Sequence, residues 1–364
     1  MIATAETTVL PAHIIKKIGK DPLLLAKKAD LIYVSDSDPG IVRIRKGQSF
    51  SYQHGNSKVK DAQELQRIKK LVIPPAWENV WICKLENGHL QVTGYDIKKR
   101  KQYRYHPLWN ALRDQTKYYR LEGFGNILPH LRLQIEKDLS LPDMPQEKIL
   151  AAVVSLMERT TIRVGNAEYE KLYGSFGLTT MKDKHVEISG SNVKFTFKGK
   201  KGIHHHIGIK SKRLSDIVKQ CRDIPGKELF QYYDDAGTAH SIDSGMLNEY
   251  IRKLSGGDYT SKDFRTWAGT VRALLAFKEL GPAETVTESK RKIVEALDQV
   301  SVHLGNTRTV CKKYYVHPAI LALYEKNSLN NYLDQLDKIE HDDGKAGLTP
   351  EEKILMKIIA TDHS

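Results

Sequence analysis

The amino-acid sequence predicts an α+β protein with a small β-rich N-terminal domain and a larger, mostly helical domain that contains a three-stranded antiparallel sheet. Short alternating apolar runs, separated by turn residues, dominate the first hundred positions and are typical of strands. Longer apolar runs with helical spacing dominate the remainder, apart from three alternating runs within residues 185–209. The 364 residues, 40% of them hydrophobic, are enough for about two ordinary cores.

The N-terminal domain is predicted from its short runs and turns. Leu31–Ser35 is apolar and β-branched and predicts a strand, and a Pro-Gly turn at residues 38–40 leads to a second strand over Ile41–Arg45. Lys60–Leu71 has helical spacing and ends before two prolines, because the residue preceding a proline disfavours helix. A favoured hairpin turn at residues 87–88 joins two further strand-like runs.

The segment Asp96–Tyr105 is strongly basic, and the formal net charge of the whole chain is +13. Such a surplus favours a polyanionic partner, nucleic acid before an anionic membrane. Tyr103 and Tyr105 alternate with an arginine, so both rings share one face of a strand. The pattern fits a DNA contact surface, and it fits a solvated hairpin with packed tyrosines equally well. The basic residues are Lys98, Lys99, Arg100, Lys101 and Arg104.

The larger domain begins with helical patterns. Residues 108–120 predict a helix that bridges the two domains, and Gln146–Arg159 is apolar on most sides, as expected of a central core helix. Arg163 follows that helix and lies between two apolar residues at the edge of the core. A cation in this position is costly without an anion. We therefore expect Arg163 either to pair with an acid or to bind a phosphate.

Three strands are predicted next, over His185–Ser189, Val193–Phe197 and Ile203–Ile209. The turn at residues 198–202, which reads K-G-K-K-G, is cationic and flexible; taken alone, it is most simply a solubilising turn. His204-His205-His206 suggests a metal site. On a strand, however, the first and third histidines face one side and the second faces the other, and no Cys, Asp or Glu neighbour completes a site. We expect no metal here.

The remainder is predicted to be mostly helical. One helix covers Ile242–Leu254, and a capped helix runs through Thr266–Leu280 with Arg265 in its first turn, where the helix dipole and a guanidinium can act on one anion. A further amphipathic helix leads to Gly305. The tail after residue 325 predicts two small helices, the second with Thr349 as its N-cap and a proline in its first turn.

Two adjacent tyrosines lie in a cationic neighbourhood near the end of the chain, in the segment V-H-L-G-N-T-R-T-V-C-K-K-Y-Y-V-H-P that begins at Val302. A phenol with a pKa near 10 is a poor nucleophile unless cations stabilise its phenolate or the transition state. The same cations suit a phosphodiester. Most of the 17 tyrosines must be half-buried packing residues, so this pattern alone does not establish a catalytic role.

Several classes of protein are disfavoured by the sequence. No run of 18 apolar residues predicts a membrane span, and the N-terminus does not resemble a secretory signal. The three cysteines are far apart, which fits a reducing cytoplasm and argues against disulfides and zinc. The sequence also has no Walker A motif and no dinucleotide-binding glycine motif.

Taken together, the motifs resemble the type IB DNA topoisomerases, in particular their compact poxvirus-type and bacterial branch, over about residues 30–320. T-I-R-V-G-N is similar to the first catalytic arginine segment of the family and implies Arg163. F-K-G-K is similar to the general-acid lysine segment and implies Lys200, and K-D-F-R-T is similar to the second arginine segment and implies Arg265.

The segment C-K-K-Y-Y-V-H-P resembles the nucleophile segment of the family. The family tyrosine precedes a short apolar residue and, in bacterial members, His-Pro, which implies Tyr315 rather than Tyr314. Poxvirus-type enzymes have a phosphate-binding histidine nine residues before the tyrosine. Asn306 occupies that position here and can donate a hydrogen bond but brings no charge, whereas the nearby His303 is out of register.

The resemblance also implies the organisation of the chain and further DNA contacts. An arm (residues 1–28) would precede a β-rich DNA clamp (29–107), a mostly helical catalytic domain (108–325) of the kind shared with tyrosine recombinases, and a helical tail (326–364). Tyr103 and Tyr105 are then DNA-contact candidates, together with the basic turn. Weaker candidates near the site are Asn166, Tyr169 and Lys262.

The activity implied is relaxation of supercoiled double-stranded DNA through a 3′-phosphotyrosine, without ATP, a metal or another cofactor, by a cytoplasmic monomer that clamps around the duplex. A tyrosine recombinase is the nearest alternative, although recombinases usually carry His-x-x-Arg where this chain has Lys262 to Arg265. A non-catalytic DNA-binding protein is the alternative from another class. Loss of a catalytic residue would indicate it, and Arg163, Arg265 and Tyr315 are all present.

Overall fold

The structure, a computed structural model, describes residues 22–47, 49–97, 101–234, 236–336, 339 and 346–362. The chain divides into two compact units, of which the first ends at Arg120 and the second begins at Leu121. The domain boundaries expected from the sequence at residues 28, 107 and 325 remain predictions. None of the described helices combines the length and the apolar composition that a bilayer crossing needs.

The first unit is built on a six-stranded antiparallel sheet with the order β3-β2-β1-β4-β5-β6. Ile41, Ile82 and Val92 project from its central strands and pack against Ile68 of a short helix, which forms a small core. The alternation that predicted the strands is the alternation that buries one face of the sheet. The elements are α1 (Pro22–Lys28), β1 (Ile41–Lys46), β2 (Ser49–His54), β3 (Ser57–Lys58), α2 (Ala62–Lys70), β4 (Glu78–Ile82), β5 (Leu90–Tyr95) and β6 (Lys101–Tyr105).

The prediction of a strand over Leu31–Ser35 is wrong, because the backbone of this segment makes few of the hydrogen bonds that join neighbouring strands. Only an isolated bridge joins Ile32 to Gly88. The amide of Val34 donates to Nδ1 of His89 at 3.0 Å, and the ring of Tyr33 stacks on the same imidazole with 4.0 Å between ring centres. A histidine side chain therefore satisfies a donor that a neighbouring strand would otherwise bind.

The helix predicted over residues 108–120 is much longer in the structure and forms α3 (Pro107–Asp138). Its two glycines do not end it, because both are sites of close packing. A Cβ at Gly123 would lie 2.4 Å from the hydroxyl oxygen of Tyr259, and one at Gly125 would lie 2.3 Å from Sδ of Met356. Each glycine therefore allows close packing inside a continuous helix, Gly125 against the last helix of the chain and Gly123 against the segment before Ser261.

The second unit surrounds α4 (Gln146–Thr160), whose residues from Ile149 to Met157 are all buried. The three predicted strands are confirmed as an antiparallel sheet with the order β7-β8-β9. The other elements are α5 (Ala167–Tyr173), β7 (Val186–Ser189), β8 (Asn192–Lys198), β9 (His204–Lys210), α6 (Lys212–Asp223), β10 (Gln231–Tyr233), β11 (Ala239–Ser241), α7 (Ser244–Ser255), α8 (Ser261–Leu280), α9 (Val286–Leu304), α10 (Arg308–Tyr314), α11 (Pro318–Glu325), α12 (Asn330–Leu333) and α13 (Pro350–Asp362).

The last helix, α13, begins where its capping residue predicts. The hydroxyl of Thr349 accepts from the amide of Glu352 at 3.3 Å, and the carboxylate of Glu352 accepts from the amide of Thr349 at 2.9 Å. The same carboxylate accepts from Arg132 on α3 and from the indole of Trp267 on α8, each at 2.8 Å. The tail helix is therefore bound to the body of the second unit by a buried carboxylate.

Candidate active site

Two arginine side chains bind to the end of α9, at a site that we call the arginine corner (Leu304, Gly305 and Asn306 with Arg163 and Arg265). Gly305 ends the helix in the left-handed conformation, with φ of 57°. Nη2 of Arg163 donates to the carbonyl of Gly305 at 2.9 Å and to Oδ1 of Asn306 at 2.7 Å. Nη2 of Arg265 donates to the carbonyl of Leu304 at 2.8 Å. Three consecutive residues thus hold both guanidinium groups.

Arg265 also reaches the end of α4, which fixes the position of the loop that carries Arg163. Its Nη1 donates to the carbonyl of Thr161, a residue in the left-handed conformation that ends α4. The hydroxyl of Thr161 donates in turn to the carbonyl of His303 at 3.0 Å. The capping box of Thr260 and Asp263 begins α8. Arg265 is the fifth residue of this helix and lies just beyond the first turn, where the sequence predicted it, because the helix begins at Ser261.

The two arginines have no carboxylate partner among the residues that the structure describes. Arg265 is only 6% exposed. Burial, followed by the charge of Arg265, lowers the pKa of Arg163 to about 10, and burial lowers the pKa of Arg265. Both side chains remain charged at neutral pH. Of the two possibilities that the sequence left open for Arg163, an acid or a phosphate, the geometry favours the phosphate.

Tyr315 lies directly after α10 and against the arginines. Cζ of Arg265 lies 5.4 Å from the centre of the Tyr315 ring. The tyrosine backbone is held against α8, because the hydroxyl of Thr270 donates to its carbonyl at 3.3 Å. A Cβ at Gly269 would lie 2.5 Å from that same carbonyl oxygen, so this glycine allows the helix and the tyrosine segment to meet.

Tyr314 lies in a different environment. Its side chain is 40% exposed, and Nζ of Lys313 lies 5.2 Å from the centre of its ring. The structure therefore brings Tyr315, rather than Tyr314, to the Arg265 guanidinium. The assignment of the nucleophile to Tyr315 remains a prediction that this arrangement supports.

Two buried donors of the site have no hydrogen-bond partner among the described residues, namely Nε of Arg265 and Nδ2 of Asn306. Leaving a buried donor unsatisfied costs about 1–3 kcal/mol. Native structures keep few such groups, and those that they keep need an explanation. Both donors belong to residues of the arginine corner, where a ligand with acceptor oxygens would satisfy them.

Lys200 lies on the turn between β8 and β9 and is exposed. Its Nζ is 5.5 Å from the centre of the Tyr169 ring. Tyr169 is in the first turn of α5, which Asn166 caps by accepting from the amides of residues 168 and 169. Three predicted site residues thus lie together, but in the described residues no hydrogen bond or ion pair joins Lys200 to the arginine corner.

His205 was missed by the sequence reasoning, which considered it only as part of a metal-binding triplet. It lies opposite Phe197 in the β8–β9 ladder, and its ring approaches Gly305 of the arginine corner. Burial, followed by the charges of Arg163 and Arg265, lowers its pKa. The signal was present in the strand alternation, which turns the middle histidine inward. No group of three metal-ligating side chains is found in the part of the chain that the structure describes.

The predicted DNA contacts of the first unit are described in part. Lys98, Lys99 and Arg100 lie outside the described residues. Lys101 pairs with Asp36 at 2.5 Å. The rings of Tyr103 and Tyr105 stack with 6.0 Å between their centres, which confirms that they share one face. In the second unit, Lys262 is exposed in the first turn of α8. Their roles in DNA binding remain predictions.

Comparisons with known proteins agree with this arrangement. Residues 99–342 match the family model of the eukaryotic DNA topoisomerase I catalytic core, and residues 49–96 match that of the bacterial DNA topoisomerase IB N-terminal domain. The DNA topoisomerase 1B of Acanthamoeba polyphaga mimivirus is 31% identical over 296 residues, which cover 79% of this chain and 88% of the viral protein. The DNA topoisomerase 1B of Vaccinia virus (strain Copenhagen) is 26% identical over 259 residues, 69% of this chain and 76% of that protein.

The matched regions contain every residue of the candidate site, from Arg163 to Tyr315. They also favour the topoisomerase interpretation over the recombinase interpretation that the sequence left open. The bacterial match confirms that the β-rich N-terminal region is of the bacterial type. The chain belongs to the type IB DNA topoisomerases, isomerases whose substrate is DNA.

Proposed function

We propose that this topoisomerase relaxes supercoiled DNA by reversible transesterification at Tyr315, without ATP and without a metal. The observation that supports the proposal is the pair of arginines next to that tyrosine, the half-buried Arg163 and the buried Arg265, with no carboxylate partner among the described residues. A buried cation of this kind suits a phosphodiester, whose charge it neutralises in the transition state.

In the proposed cleavage step, the phenolic oxygen of Tyr315 bonds to a backbone phosphorus and its proton passes to solvent. The bond from phosphorus to the 5′-oxygen breaks, and the departing oxygen takes a proton from the ammonium of Lys200. An alkoxide is a very poor leaving group without such an acid. The products are a 3′-phosphotyrosine and a 5′-hydroxyl, and the reverse step reseals the strand.

The arginine corner would bind the non-bridging oxygens of the phosphate. Arg163 and Arg265 supply positive charge, and the unsatisfied donors at Nε of Arg265 and Nδ2 of Asn306 supply hydrogen bonds. Because the phosphotyrosine conserves the energy of the broken bond, resealing needs no nucleotide. While one strand is open, its free end rotates around the intact strand and the torsion relaxes. We further propose that one copy of the chain clamps one duplex. Analytical sedimentation tests this proposal by measuring the mass of the protein–DNA complex.

The proposal is tested by relaxation of a supercoiled plasmid in EDTA without ATP. We expect the wild type and Tyr314→Phe to relax the plasmid and to leave a covalent DNA adduct when stopped with detergent. Tyr315→Phe should bind DNA but give neither relaxation nor adduct. Relaxation by Tyr315→Phe and not by Tyr314→Phe would move the nucleophile to the neighbouring residue, and inhibition of the wild type by EDTA would require a metal mechanism.

A further inference from the structure

The imidazole of His205 lies between two glycines that belong to different parts of the site. A Cβ at Gly199 would lie 2.6 Å from Cδ2 of the ring and 2.7 Å from Nε2. A Cβ at Gly305 would lie 2.6 Å from Cε1 and 3.3 Å from Nε2. Since Cβ atoms essentially never approach other atoms so closely, only glycine fits at either position while the ring lies where it does. The ring is therefore in contact with both backbones at once.

These two glycines directly precede the residues to which the chemistry is assigned. Gly199 comes before Lys200, and its amide and carbonyl hold the turn through bonds to Ile203 at 2.7 Å and Gly202 at 3.1 Å. Gly305 comes before Asn306, and its carbonyl accepts from Arg163. The turn that carries Lys200 and the arginine corner are thus separated at this point only by the ring of His205, which lies between Gly199 and Gly305.

The ring itself is held from its own sheet. It stacks on Phe197, its partner in the β8–β9 ladder, with 5.1 Å between ring centres and 21° between ring planes. Its pKa is lowered by burial and by Arg163 and Arg265, which favours the uncharged imidazole beside the two arginines. Among the described residues, neither ring nitrogen makes a hydrogen bond, so the contact depends on packing.

We propose that His205 is a positioning residue that holds the Lys200 turn in register with the arginine corner, so that the lysine ammonium reaches the leaving oxygen of the phosphate bound by the arginines. The inference rests on the proposed role of Lys200 as general acid. His204 and His206 alternate to the opposite face of the strand and have no part in it.

The test compares single-turnover cleavage of two DNA substrates that differ at the scissile bond, one with the natural 5′-oxygen and one with a 5′-sulfur. A thiolate leaves without a proton donor, so the sulfur substrate reports all steps except acid catalysis. We expect His205→Ala to cleave the oxygen substrate about 10- to 100-fold more slowly than the wild type, since a displacement of about 1 Å can have that effect. It should cleave the sulfur substrate at a rate close to that of the wild type.

Two comparisons complete the experiment. His206→Ala should behave as the wild type on both substrates. In the double variant Lys200→Ala with His205→Ala, the histidine change should reduce the cleavage rate of the oxygen substrate little further than Lys200→Ala alone. Without the lysine ammonium, the position of the turn no longer affects proton transfer. If His205→Ala lowers the melting temperature of the protein, His205→Gln, which keeps a flat side chain of similar reach, takes its place in every comparison.

The outcomes separate the two proposals. If the sulfur substrate does not rescue Lys200→Ala, the general-acid role of Lys200 fails. If it rescues Lys200→Ala but leaves the folded histidine variant equally slow on both substrates, only the role of His205 fails. Additive losses in the double variant would likewise overturn the inference about His205.

Discussion

At the scale of single residues, the active site departs from the rule that buried charges and donors are paired. Arg163 is half-buried and Arg265 is buried, both without a carboxylate in the described residues, and Nε of Arg265 and Nδ2 of Asn306 are buried without an acceptor. Each departure destabilises the folded enzyme, and each would be relieved by a bound phosphate. The site is therefore prepared for an anion before DNA binds, at a cost to stability.

Asn306→Asp should exchange activity for stability. The new carboxylate would occupy the position of an oxygen that already lies 2.7 Å from Nη2 of Arg163, and it would replace the unsatisfied amide donor. We expect the free energy of unfolding to rise by about 1–3 kcal/mol, as for a new hydrogen bond to a charged group. The cleavage rate should fall about 100-fold or more, because the carboxylate neutralises the arginine and repels the phosphate.

Urea denaturation and single-turnover cleavage of the same preparation measure both effects. Asn306→Ala, which removes the amide without adding a charge, separates loss of the donor from repulsion. Its rate should lie between those of the wild type and Asn306→Asp. An aspartate variant as active as the wild type would show that Arg163 does not bind the phosphate.

The residues of the site were predictable to different degrees. Arg163, Arg265 and Tyr315 were named from local motifs, and the structure brings them together. His205 was considered only as a metal ligand, because its place in the site depends on contact with Gly305, a residue a hundred positions away in the sequence. Unsatisfied donors cannot be predicted from the sequence either, because a sequence shows which groups can donate a hydrogen bond but not which acceptors lie near them.

At the scale of secondary structure, the helix α8, which carries Arg265, is bound to the tail. Burial alone would raise the pKa of Glu352, but hydrogen bonds from Arg132 and Trp267 lower it overall, so this carboxylate is charged inside the protein. It joins α13 to α3 and to α8, and Trp267 lies two residues from Arg265. The tail helix is therefore bound to the helix that carries Arg265, an arginine for which we propose a catalytic role.

Glu352→Ala should be strongly destabilising. Removing the carboxylate leaves the indole of Trp267 without its acceptor and leaves Arg132 with Glu158 as its remaining acidic partner. Breaking a buried pair in this way costs about 3–5 kcal/mol. Urea denaturation measures the loss, and Glu351→Ala, a partly exposed neighbour in the same helical turn, is the matched control. Equal stability of the two variants would show that the buried network contributes little.

Element boundaries were predictable where local chemistry sets them. The glycine at position 305 and the threonine cap at position 349 marked helix ends that the structure confirms. The predictions that failed depended on distant partners. In place of the strand over Leu31–Ser35, the amide of Val34 donates to the ring of His89. Helix α3 continues through two glycines against which side chains distant in the sequence pack.

At the scale of the whole molecule, the net charge of +13 should dominate the affinity for DNA. Each phosphate contact releases condensed counterions, so the logarithm of the association constant should fall linearly with the logarithm of salt concentration, by about 0.9 per contact on duplex DNA. Fluorescence anisotropy with a labelled duplex measures this slope. Between about 50 and 200 mM salt, several phosphate contacts should change the affinity by about tenfold or more, which is readily measured.

Tyr315→Phe is the informative variant in the salt titration, because it removes the nucleophile without removing a charge. The salt dependence of its affinity should have the same slope as that of the wild type. Lys200→Ala should reduce the slope by at most about 0.9, the value expected for one phosphate contact. A salt-independent affinity would contradict an electrostatic clamp and would point to recognition by other means.

The backbone of Tyr315 is fixed on both sides, and this has a mechanical consequence. Its amide donates to the carbonyl of Cys311 at 2.9 Å, and its carbonyl accepts from Thr270, whose hydroxyl oxygen also accepts from the amide of His317 at 3.2 Å. In the proposed mechanism a DNA end is joined to this phenol, and any pull of the turning duplex on that end would pass through the residue. The load then falls on the main chain braced against α8, and the arginines need only retain the phosphate until the strand returns.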